Sequence, residues 1–332
     1  MTGHASPDDR LNAFGQERIR SRFGAETTAA EAVAGRDLSG RTAIVTGGGG
    51  GIGVEIVRAL AGAGAAVIIA DVDADAAGAT AISINAGIGR DTVSVAKVDL
   101  ASLASAKSFA DEFLETGRSL DILVNNAGVM APPLRRTTEG HELQLGINHL
   151  GHFRMTTGLL PALRADGGAR VVCVSSIGHR LSDIIYDDPD YLTRPYDRWE
   201  AYGQSKTACA LFALALNTRT SGDGVFVNTM NPGGSMTGLQ RHVSGEDQRR
   251  LGWIDEDGNI NARWRSSAHC AATSVWIATA PETEGVGGRY FEDCNESAQW
   301  HPDRPMNGVH PHIADPENAG RLWYLTERLI SG

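Results

Sequence analysis

Short runs of β-branched and apolar residues alternate along this chain with segments of helical periodicity. The runs fall at residues 42–46, 66–71, 92–100, 120–126, 170–176, 224–231 and 288–293. Several of them lack alternating polar residues, which is typical of strands covered on both faces, and the segments between them are long enough for helices. The alternation therefore predicts an α/β fold: a doubly wound, mostly parallel sheet of seven strands with helices on both faces.

No internal repeat, charge block or low-complexity linker divides the chain beyond its first residues. Residues 1–37 are polar and weakly periodic, with a helical stretch over 26–34. The sequence therefore predicts an N-terminal arm over residues 1–37 and a single domain over residues 38–332. Two irregular segments, 177–200 and 232–262, are long for loops in a compact domain, and loops of that length are often functional.

Composition argues against several classes of function. Forty acidic and thirty basic residues leave a net charge of −10, so a nucleic-acid backbone or a polyanionic membrane surface has little to bind. No apolar window reaches the about 18 residues that a membrane helix needs, and the first forty residues lack the apolar core of a secretory signal. We therefore expect a cytoplasmic protein without nucleic-acid or membrane partners. The isolated cysteines predict free thiols: Cys173, Cys209, Cys270 and Cys294.

The first predicted strand runs directly into the sequence TGGGGGIG at Thr46–Gly53, which a helical pattern follows. Glycines at such a turn let the chain bend tightly and let a pyrophosphate approach the backbone at the helix N-terminus. Two motifs fit the run: G-x-G-x-x-G over residues 48–53, and T-G-x-x-x-G-x-G through Gly47, Gly51 and Gly53. The sequence predicts a dinucleotide-binding turn and leaves its register open, with a glycine-rich turn that binds nothing as the alternative.

Asp71 ends the second predicted strand, eighteen residues after Gly53. In a dinucleotide-binding fold, a carboxylate there binds the ribose hydroxyl of adenosine and repels a 2′-phosphate. The sequence neighbours Ala70 and Val72 are not basic, and Gly50 stands where an arginine or lysine would meet that phosphate. NAD is therefore favoured over NADP. The alternative is that Asp71 only caps the following helix.

Tyr202 and Lys206 stand four residues apart in a helical pattern, which places both side chains on one face. A tyrosine with its ordinary pKa of ~10 is a poor acid or base at neutral pH unless a neighbouring cation stabilises the phenolate. Lys206 would supply that charge. The alternative, a solvated helix face, is disfavoured by the small and apolar residues that follow.

Five motifs occur in order: TGGGGGIG, NNAG (125–128), VSS (174–176), YGQSK (202–206) and NPGG (231–234). Together they resemble the short-chain dehydrogenase/reductase family over roughly residues 38–330. The phrase INHLGHF (147–153) and the long gap between Ser176 and Tyr202 are similar to the retinol-dehydrogenase-like branch. The resemblance implies a Rossmann-fold oxidoreductase that moves a hydride between a nicotinamide cofactor and an alcohol or carbonyl substrate.

The resemblance also implies roles for individual residues. Tyr202 would donate and accept the proton, while Lys206 would lower its pKa and bind the nicotinamide ribose. Ser176, in preference to Ser175, would bind the substrate oxygen. Asn148 would hold a water that links Lys206 to solvent. The implied cofactor-binding residues are Gly47, Gly51, Ile52, Gly53, Asp71, Asp99, Leu100, Asn126, Ala127, Gly128, Tyr202, Lys206, Pro232, Gly233, Ser235 and Thr237. Ser235 stands where the family more often has an aliphatic residue.

Other functions remain as alternatives. A methyltransferase that uses S-adenosylmethionine also has a glycine-rich first turn, but it leaves YGQSK and the serine pair unexplained. A protein that binds NAD without turnover is the second alternative. The family tendency indicates a homodimer or homotetramer. No metal site is expected, because the histidines near the C-terminus lack the spacing of ligands that such sites use.

The segment between Ser176 and Tyr202 is rich in apolar and aromatic residues. Such residues near the reacting oxygen would favour a lipophilic or aromatic alcohol or ketone, because binding pockets draw their affinity mainly from such linings. The alternative is that they pack against the sheet rim or a neighbouring subunit. The residues are Ile184, Ile185, Tyr186, Tyr191, Tyr196 and Trp199. His179 is predicted either to line the substrate site or, the commoner role of a turn histidine, to bind the backbone.

Overall fold

The computed structural model describes residues 10–331. Within them, one sheet contains the strands β1 (Thr42–Thr46), β2 (Ala66–Asp71), β3 (Val93–Lys97), β4 (Ile122–Asn125), β5 (Arg170–Val174), β6 (Phe226–Asn231), β7 (Tyr290–Glu292) and β8 (Asn295–Glu296). The spatial order is β3-β2-β1-β4-β5-β6-β7-β8. All neighbours are parallel except β7 and β8. The direction of winding reverses between β1 and β4, so the prediction of a doubly wound sheet is confirmed.

The sheet has eight strands where the sequence predicts seven. β8 is only two residues long and pairs with β7 after a tight turn through Asp293 and Cys294, both of which have positive φ angles. A two-residue strand has no periodicity that a sequence pattern can reveal. The remaining strands coincide with the predicted runs, although most are a few residues shorter.

The helices cover both faces of the sheet. Their bounds are α1 (Ala29–Val33), α2 (Gly51–Gly62), α3 (Ala74–Ile88), α4 (Leu103–Glu115), α5 (Leu143–Leu145), α6 (His152–Gly158), α7 (Leu160–Leu163), α8 (Arg198–Thr220), α9 (Gly245–Arg250), α10 (Ser267–Thr279) and α11 (Pro316–Ser331). A π-helical turn, Gly146–Gly151, joins α5 to α6. One apolar core joins α1, α2, α3 and α10 to the sheet, and a second joins α4, α6 and α8.

Polar side chains cap the helices that lead to the site. Asp73 accepts a hydrogen bond from the backbone N–H of Ala76 at the start of α3, and Asp197 accepts from two backbone N–H groups at the start of α8. Such caps satisfy the donors that a helix leaves unpaired in its first turn. Helix α8 is buried along most of its length. Its alanines and other small residues allow this close approach to the sheet.

Of the predicted arm over residues 1–37, residues 1–9 lie outside the described part of the chain, and residues 12–19 lie along the β8 edge of the sheet. The amide of Asn12 donates to Glu296 Oε1 at 2.6 Å, and the backbone N–H of Ile19 donates to Glu296 Oε2 at 2.9 Å. Helix α1 packs against α10. The segment thus covers an edge strand whose backbone groups would otherwise be open to pairing with another chain.

Helix α11 packs against α8, on the face of the sheet opposite to α1 and α10. The ring of Trp323 lies 4.7 Å from the ring of Phe153. The guanidinium of Arg219 lies 4.0 Å from the centre of the Trp323 ring. Among residues 10–331, none of the helices combines the length and the hydropathy required to span a bilayer. All four cysteines are buried and unpaired, as predicted.

Candidate active site

The sequence-predicted site residues converge at the carboxyl ends of the strands. The turns after β1 and β4 face each other there, at the point where the winding reverses. In open α/β sheets this crevice is where ligands bind. The segments after β5 and β6 and the first half of α8 complete the same edge.

The backbone of the glycine-rich turn after β1 shows which of the two glycine motifs applies. Gly47 and Gly51 have φ angles of +64° and +54°, which favour glycine. A Cβ on Gly53 would lie 2.2 Å from the main-chain oxygen of Gly47, whereas a Cβ on Gly50 would meet open space. An added Cβ on Gly48 or Gly49 would also be close to a neighbour, at 3.0 Å from Val57 Cγ2 or Asp71 Oδ2. The glycines required by a positive φ angle or by overlap with a main-chain atom are Gly47, Gly51 and Gly53, which is the T-G-x-x-x-G-x-G pattern. Ile52 lies between the last two and packs against the core.

Asp71 lies over this turn from the end of β2. Its Oδ2 accepts a hydrogen bond from the backbone N–H of Gly49 at 3.1 Å, and its Oδ1 accepts from that of Asp73 at 3.2 Å. The strand register adds a basic neighbour that the linear sequence does not show, because Lys97 on β3 pairs with Asp71. No ion pair is formed between these two side chains. The carboxylate itself is thus placed beside the turn.

The segment after β4 is tied to the end of β1 through Thr46. The hydroxyl of Thr46 accepts from the backbone N–H groups of Asn126 and Ala127 at 2.8 and 3.0 Å. The side-chain amide of Asn126 donates in return to the carbonyl of Thr46. A Cβ on Gly47 would lie 2.9 Å from Ala127 Cα, so the two turns are in direct contact. A dinucleotide lying across the crevice would contact both.

Asn148 lies in the π-helical turn and fastens Gly128 and Val129 beside Lys206. Its Oδ1 accepts from the backbone N–H of Val129 at 2.9 Å, and its Nδ2 donates to the carbonyl of Val129 at 3.0 Å. An added Cβ on Gly128 would lie 3.0 Å from Asn148 Oδ1 and 3.7 Å from Lys206 Nζ. The Asn148 side chain and the Lys206 ammonium are therefore neighbours.

The main-chain oxygen of Asn148 is already occupied. It lies 3.1 Å from both His152 Nδ1 and Cys209 Sγ. A carbonyl oxygen has two lone pairs, so the water implied for Asn148 would have to bind the side-chain Oδ1. Burial lowers the pKa of His152 to about 4, and this neutral ring carries its proton on Nδ1.

His152 was not singled out from the sequence, although it stands four residues after Asn148 in the INHLGHF phrase. Its Nε2 lies 2.9 Å from the hydroxyl of Thr46 and, being unprotonated, accepts from it. His152 thereby joins the end of β1 to the π-helical turn. A sequence signal existed in the i, i+4 spacing on one helix face, but the partner on β1 is visible only in the fold.

Tyr202 and Lys206 lie on the buried face of α8, as their spacing predicts. Their exposed fractions are 6% and 5%, and Lys206 Nζ lies 5.9 Å from the centre of the Tyr202 ring. Lys206 Nζ donates to the carbonyl of Val174 at 3.0 Å, which leaves two of its three hydrogens for other acceptors. The described residues supply no hydrogen-bond partner for the Tyr202 hydroxyl. That hydroxyl is therefore available to a ligand.

The two serines after β5 have different surroundings. The Ser175 hydroxyl is buried and donates to the carbonyl of Lys206 at 2.7 Å, which fastens β5 to α8. The Ser176 hydroxyl accepts from the backbone N–H of Gly178 at 3.0 Å, so its own hydrogen remains free to be donated. A Cβ on Gly178 would lie 2.7 Å from Tyr202 Cε1. Ser176 is thus the serine beside Tyr202 with a donor to spare.

The loop after β6 returns to the glycine-rich turn. The side chain of Thr237 contacts Gly51, where an added Cβ would lie 3.3 Å from Thr237 Cβ. Pro232 and Gly233 begin this loop directly after β6. Ser235, in the same loop, is buried, and its hydroxyl lies 3.3 Å from that of Ser267. The loop closes the crevice from the β6 side.

Asp99 and Leu100 follow β3 at the far end of the crevice. Asp99 Oδ1 accepts from the backbone N–H of Ala101 at 2.9 Å, which shapes the turn before α4. A Cβ on Gly151 would lie 2.3 Å from the carbonyl oxygen of Leu100. This turn is therefore packed directly against the end of the π-helical turn.

The apolar surroundings of Tyr202 differ from those expected of segment 177–200. Of the six residues singled out there, Trp199 belongs to the apolar cluster around Tyr202. Ile184 and Tyr186 pack instead with α8 and α11, and the backbone N–H of Ile185 donates to the side chain of Gln204 on α8. The hydroxyls of Tyr191 and Tyr196 bond to Glu200 and to the carbonyl of Pro132. The other members of the cluster are Met130, Ala131, Leu239, Val243 and Trp253. These come from the segments after β4 and β6.

The chain is similar in sequence to a known family and to several known proteins. The family model for short chain dehydrogenases matches residues 41–248. The chain is 45% identical over 299 residues to a protein of Streptomyces antibioticus named "Probable oxidoreductase", an alignment that covers 88% of this chain and 99% of that protein. It is 38% identical over 245 residues to human retinol dehydrogenase 13, covering 72% of this chain and 69% of that protein.

Solved structures with a similar fold include two that are 28–30% identical to this chain. An uncharacterized protein from Mycobacterium paratuberculosis superposes with a TM-score of 0.68 at 30% identity, covering 90% of this chain and 97% of that one. The NADP complex of RhlG from Pseudomonas aeruginosa superposes with a TM-score of 0.60 at 28% identity, covering 77% of this chain and 95% of that one.

Proposed function

Because this chain belongs to the short-chain dehydrogenase/reductase family, in its retinol-dehydrogenase-like branch, we propose that it transfers a hydride between NAD and a lipophilic alcohol or carbonyl compound. The single observation that carries the proposal is the convergence of Tyr202, Lys206 and Ser176 at the crevice beside the glycine-rich turn. A methyltransferase is excluded by the family. A protein that binds NAD without turnover would have no use for this set of side chains.

The crevice fits a nicotinamide dinucleotide. The backbone around Gly47, Gly51 and Gly53 leaves no room for side chains, which is what the close approach of a pyrophosphate requires. Asp71, Asp99 and Leu100 would hold the adenosine end, and residues 126–128 and 232–237 the nicotinamide end. When bound, the nicotinamide supplies or takes up the hydride.

The side chains of the protein would manage the proton and the substrate oxygen. Tyr202 would donate its phenolic proton to the carbonyl oxygen in reduction and take it back in oxidation. Lys206, held by the carbonyl of Val174, would place its positive charge beside the Tyr202 ring and use a remaining N–H to bind the nicotinamide ribose. Ser176 would donate its free hydrogen to the same substrate oxygen. Asn148, through its two hydrogen bonds to Val129, would hold residues 128 and 129 in place beside Lys206.

The choice of NAD over NADP rests on Asp71. Its carboxylate lies against the turn, where it would repel the 2′-phosphate of NADP. We expect kcat/KM with NAD to exceed that with NADP by at least about tenfold. Gly50 has extended backbone and open space, so Asp71→Ala combined with Gly50→Arg is expected to reverse the preference. The measurement is kcat/KM with both cofactors.

Asp73→Ala is the matched control for this cofactor switch. It removes the next carboxylate along the chain, which caps α3, and costs about 1 kcal/mol of stability. The ratio of the two kcat/KM values should not move. Equal kcat/KM values in the wild type would contradict the assignment of Asp71 to the ribose.

The lipophilic substrate is supported by the cluster around Tyr202. Trp199 and Trp253 meet edge to face at 5.9 Å, and Trp253 meets Trp264 at 5.2 Å. These rings build an apolar wall beside the hydroxyl that would move the proton. The name of the similar human protein, retinol dehydrogenase 13, also supports an apolar substrate.

We expect kcat/KM to rise about fourfold for each methylene added along a series of linear aldehydes, the value of one buried methylene group. Trp253→Ala should flatten the series, because it removes part of the wall. Trp323→Phe, which changes a tryptophan on α11 that packs against Phe153, should leave the slope unchanged. A flat series in the wild type, or a preference for polyols, would contradict the proposed substrate class.

A further inference from the structure

His179 lies directly behind Ser176, in the 3-10 helical turn Ile177–Leu181. Its side chain is fully buried. Its ring Nδ1 lies 2.7 Å from the carbonyl oxygen of Ser176, and its backbone N–H donates to the same oxygen at 3.1 Å. One residue thus holds the Ser176 carbonyl through two hydrogen bonds.

The direction of the ring hydrogen bond is determined by its partner. A carbonyl oxygen only accepts, so the proton of the ring lies on Nδ1. Burial lowers the pKa of His179 to about 3, which keeps the ring neutral. The hydroxyl of Tyr290, on β7, lies 3.3 Å from the same Nδ1. The ring is therefore a fixed neutral donor aimed at the Ser176 carbonyl.

His179 is itself held from two sides. Its main-chain oxygen lies 3.0 Å from His312 Nε2 and 3.2 Å from the Thr207 hydroxyl, whose shorter contact, at 2.7 Å, is with the carbonyl of Ser182. Thr207 follows Lys206 on α8, and His312 belongs to the segment before α11. Both His312 and Tyr290 lie outside residues 41–248, which the family model covers. The C-terminal segment of this chain is thereby connected to the turn that carries Ser176.

The turn leaves Ser176 little freedom beside Tyr202. An added Cβ on Gly178 would lie 2.7 Å from Tyr202 Cε1 and 3.4 Å from Ser176 Oγ. We infer that His179 is a positioning residue, which holds the Ser176 carbonyl so that the Ser176 hydroxyl is aimed at the oxygen on which Tyr202 acts. The inference rests on the proposed function, because it gives His179 its effect only through Ser176.

A double-mutant cycle tests this role. His179→Leu and His179→Asn have nearly the same shape, but only asparagine carries an N–H donor at the position of Nδ1. We expect His179→Leu to lower kcat by about ten- to a hundredfold, the cost of about 1 Å of misplacement, and His179→Asn to recover most of that loss. In a Ser176→Ala background the leucine and asparagine variants should have equal kcat within about twofold, because the hydroxyl that His179 aims is gone.

Equal kcat for the two variants in the wild-type background would overturn the inference, and so would the same leucine-to-asparagine ratio in the Ser176→Ala background. Should the leucine variant not fold, His179→Gln replaces it, since its amide lies one methylene too far out and should fail to recover activity. His310→Phe is the matched control. The His310 ring contacts that of His179 at 5.4 Å without reaching Ser176, so kcat should stay within about twofold.

The same data separate this inference from the proposed function. If the wild-type enzyme reduces aldehydes and the Tyr202→Phe variant does not, the proposed function is supported, whatever the result of the double-mutant cycle. An additive cycle in that active enzyme overturns only the role of His179. An inactive wild type would contradict the proposed function, and the role of His179 with it.

Discussion

Replacing Tyr202 by phenylalanine is expected to lower kcat by about two to four decades, the usual contribution of a general acid or base. The ring remains, so packing with Met130 and Val243 is kept. The hydroxyl has no hydrogen-bond partner among the described residues, so its removal should leave the melting temperature unchanged. Cofactor affinity should change little. The measurements are kcat with a lipophilic aldehyde, the Kd of NADH and thermal unfolding.

Tyr191→Phe is the control for this substitution. Tyr191 is buried as well, but its hydroxyl donates to Glu200, and kcat should stay near that of the wild type. A Tyr202→Phe variant that keeps more than about a tenth of the activity would show that another group moves the proton. The combination of an unchanged Kd with a lost kcat also distinguishes an enzyme from a protein that only binds NAD.

Gly53→Ala is expected to weaken NADH binding at least about tenfold and to lower the free energy of unfolding by about 1–3 kcal/mol, the usual cost of overpacking. The added methyl group would lie 2.2 Å from the carbonyl oxygen of Gly47. It cannot be accommodated unless the turn moves away from its binding geometry. Fluorescence titration with NADH and thermal unfolding measure the two effects.

Gly50→Ala distinguishes this crowding from a general sensitivity of the glycine run. Gly50 has extended backbone and open space beyond its Cα, so NADH affinity should change less than about twofold and stability by less than about 1 kcal/mol. If Gly50→Ala were the more damaging substitution, the G-x-G-x-x-G register would be correct instead.

Local patterns were sufficient to predict most of the fold. Alternating apolar runs and helical segments predict the doubly wound sheet, because strands buried on both faces need no polar residues and parallel neighbours need helical crossovers. The spacing of Tyr202 and Lys206 is also a local pattern, because residues four apart in a helix lie on the same face. The two-residue strand β8 has no such pattern.

The site shows the limit of this reasoning. Ser175 and Ser176 are adjacent, and only the packing of α8 on β5 shows that Ser175 donates to the carbonyl of Lys206 while the hydrogen of Ser176 stays free. The position of His152 between Thr46 and Asn148 likewise joins residues that are far apart in the sequence.

The sequence by itself determined the sheet, the glycine-rich turn and the tyrosine–lysine pair, because each depends on contacts within one or two elements. Only the tertiary structure decided which glycines are required, which serine is free and which aromatic residues surround Tyr202. Trp253 joins Trp199 there although they are separated by β6, and Gly53 is constrained by a carbonyl across the turn. The physical reason is that neighbours in space decide whether a position has room for a Cβ atom and whether a hydroxyl hydrogen is already donated. The linear order of residues does not show which residues those neighbours are.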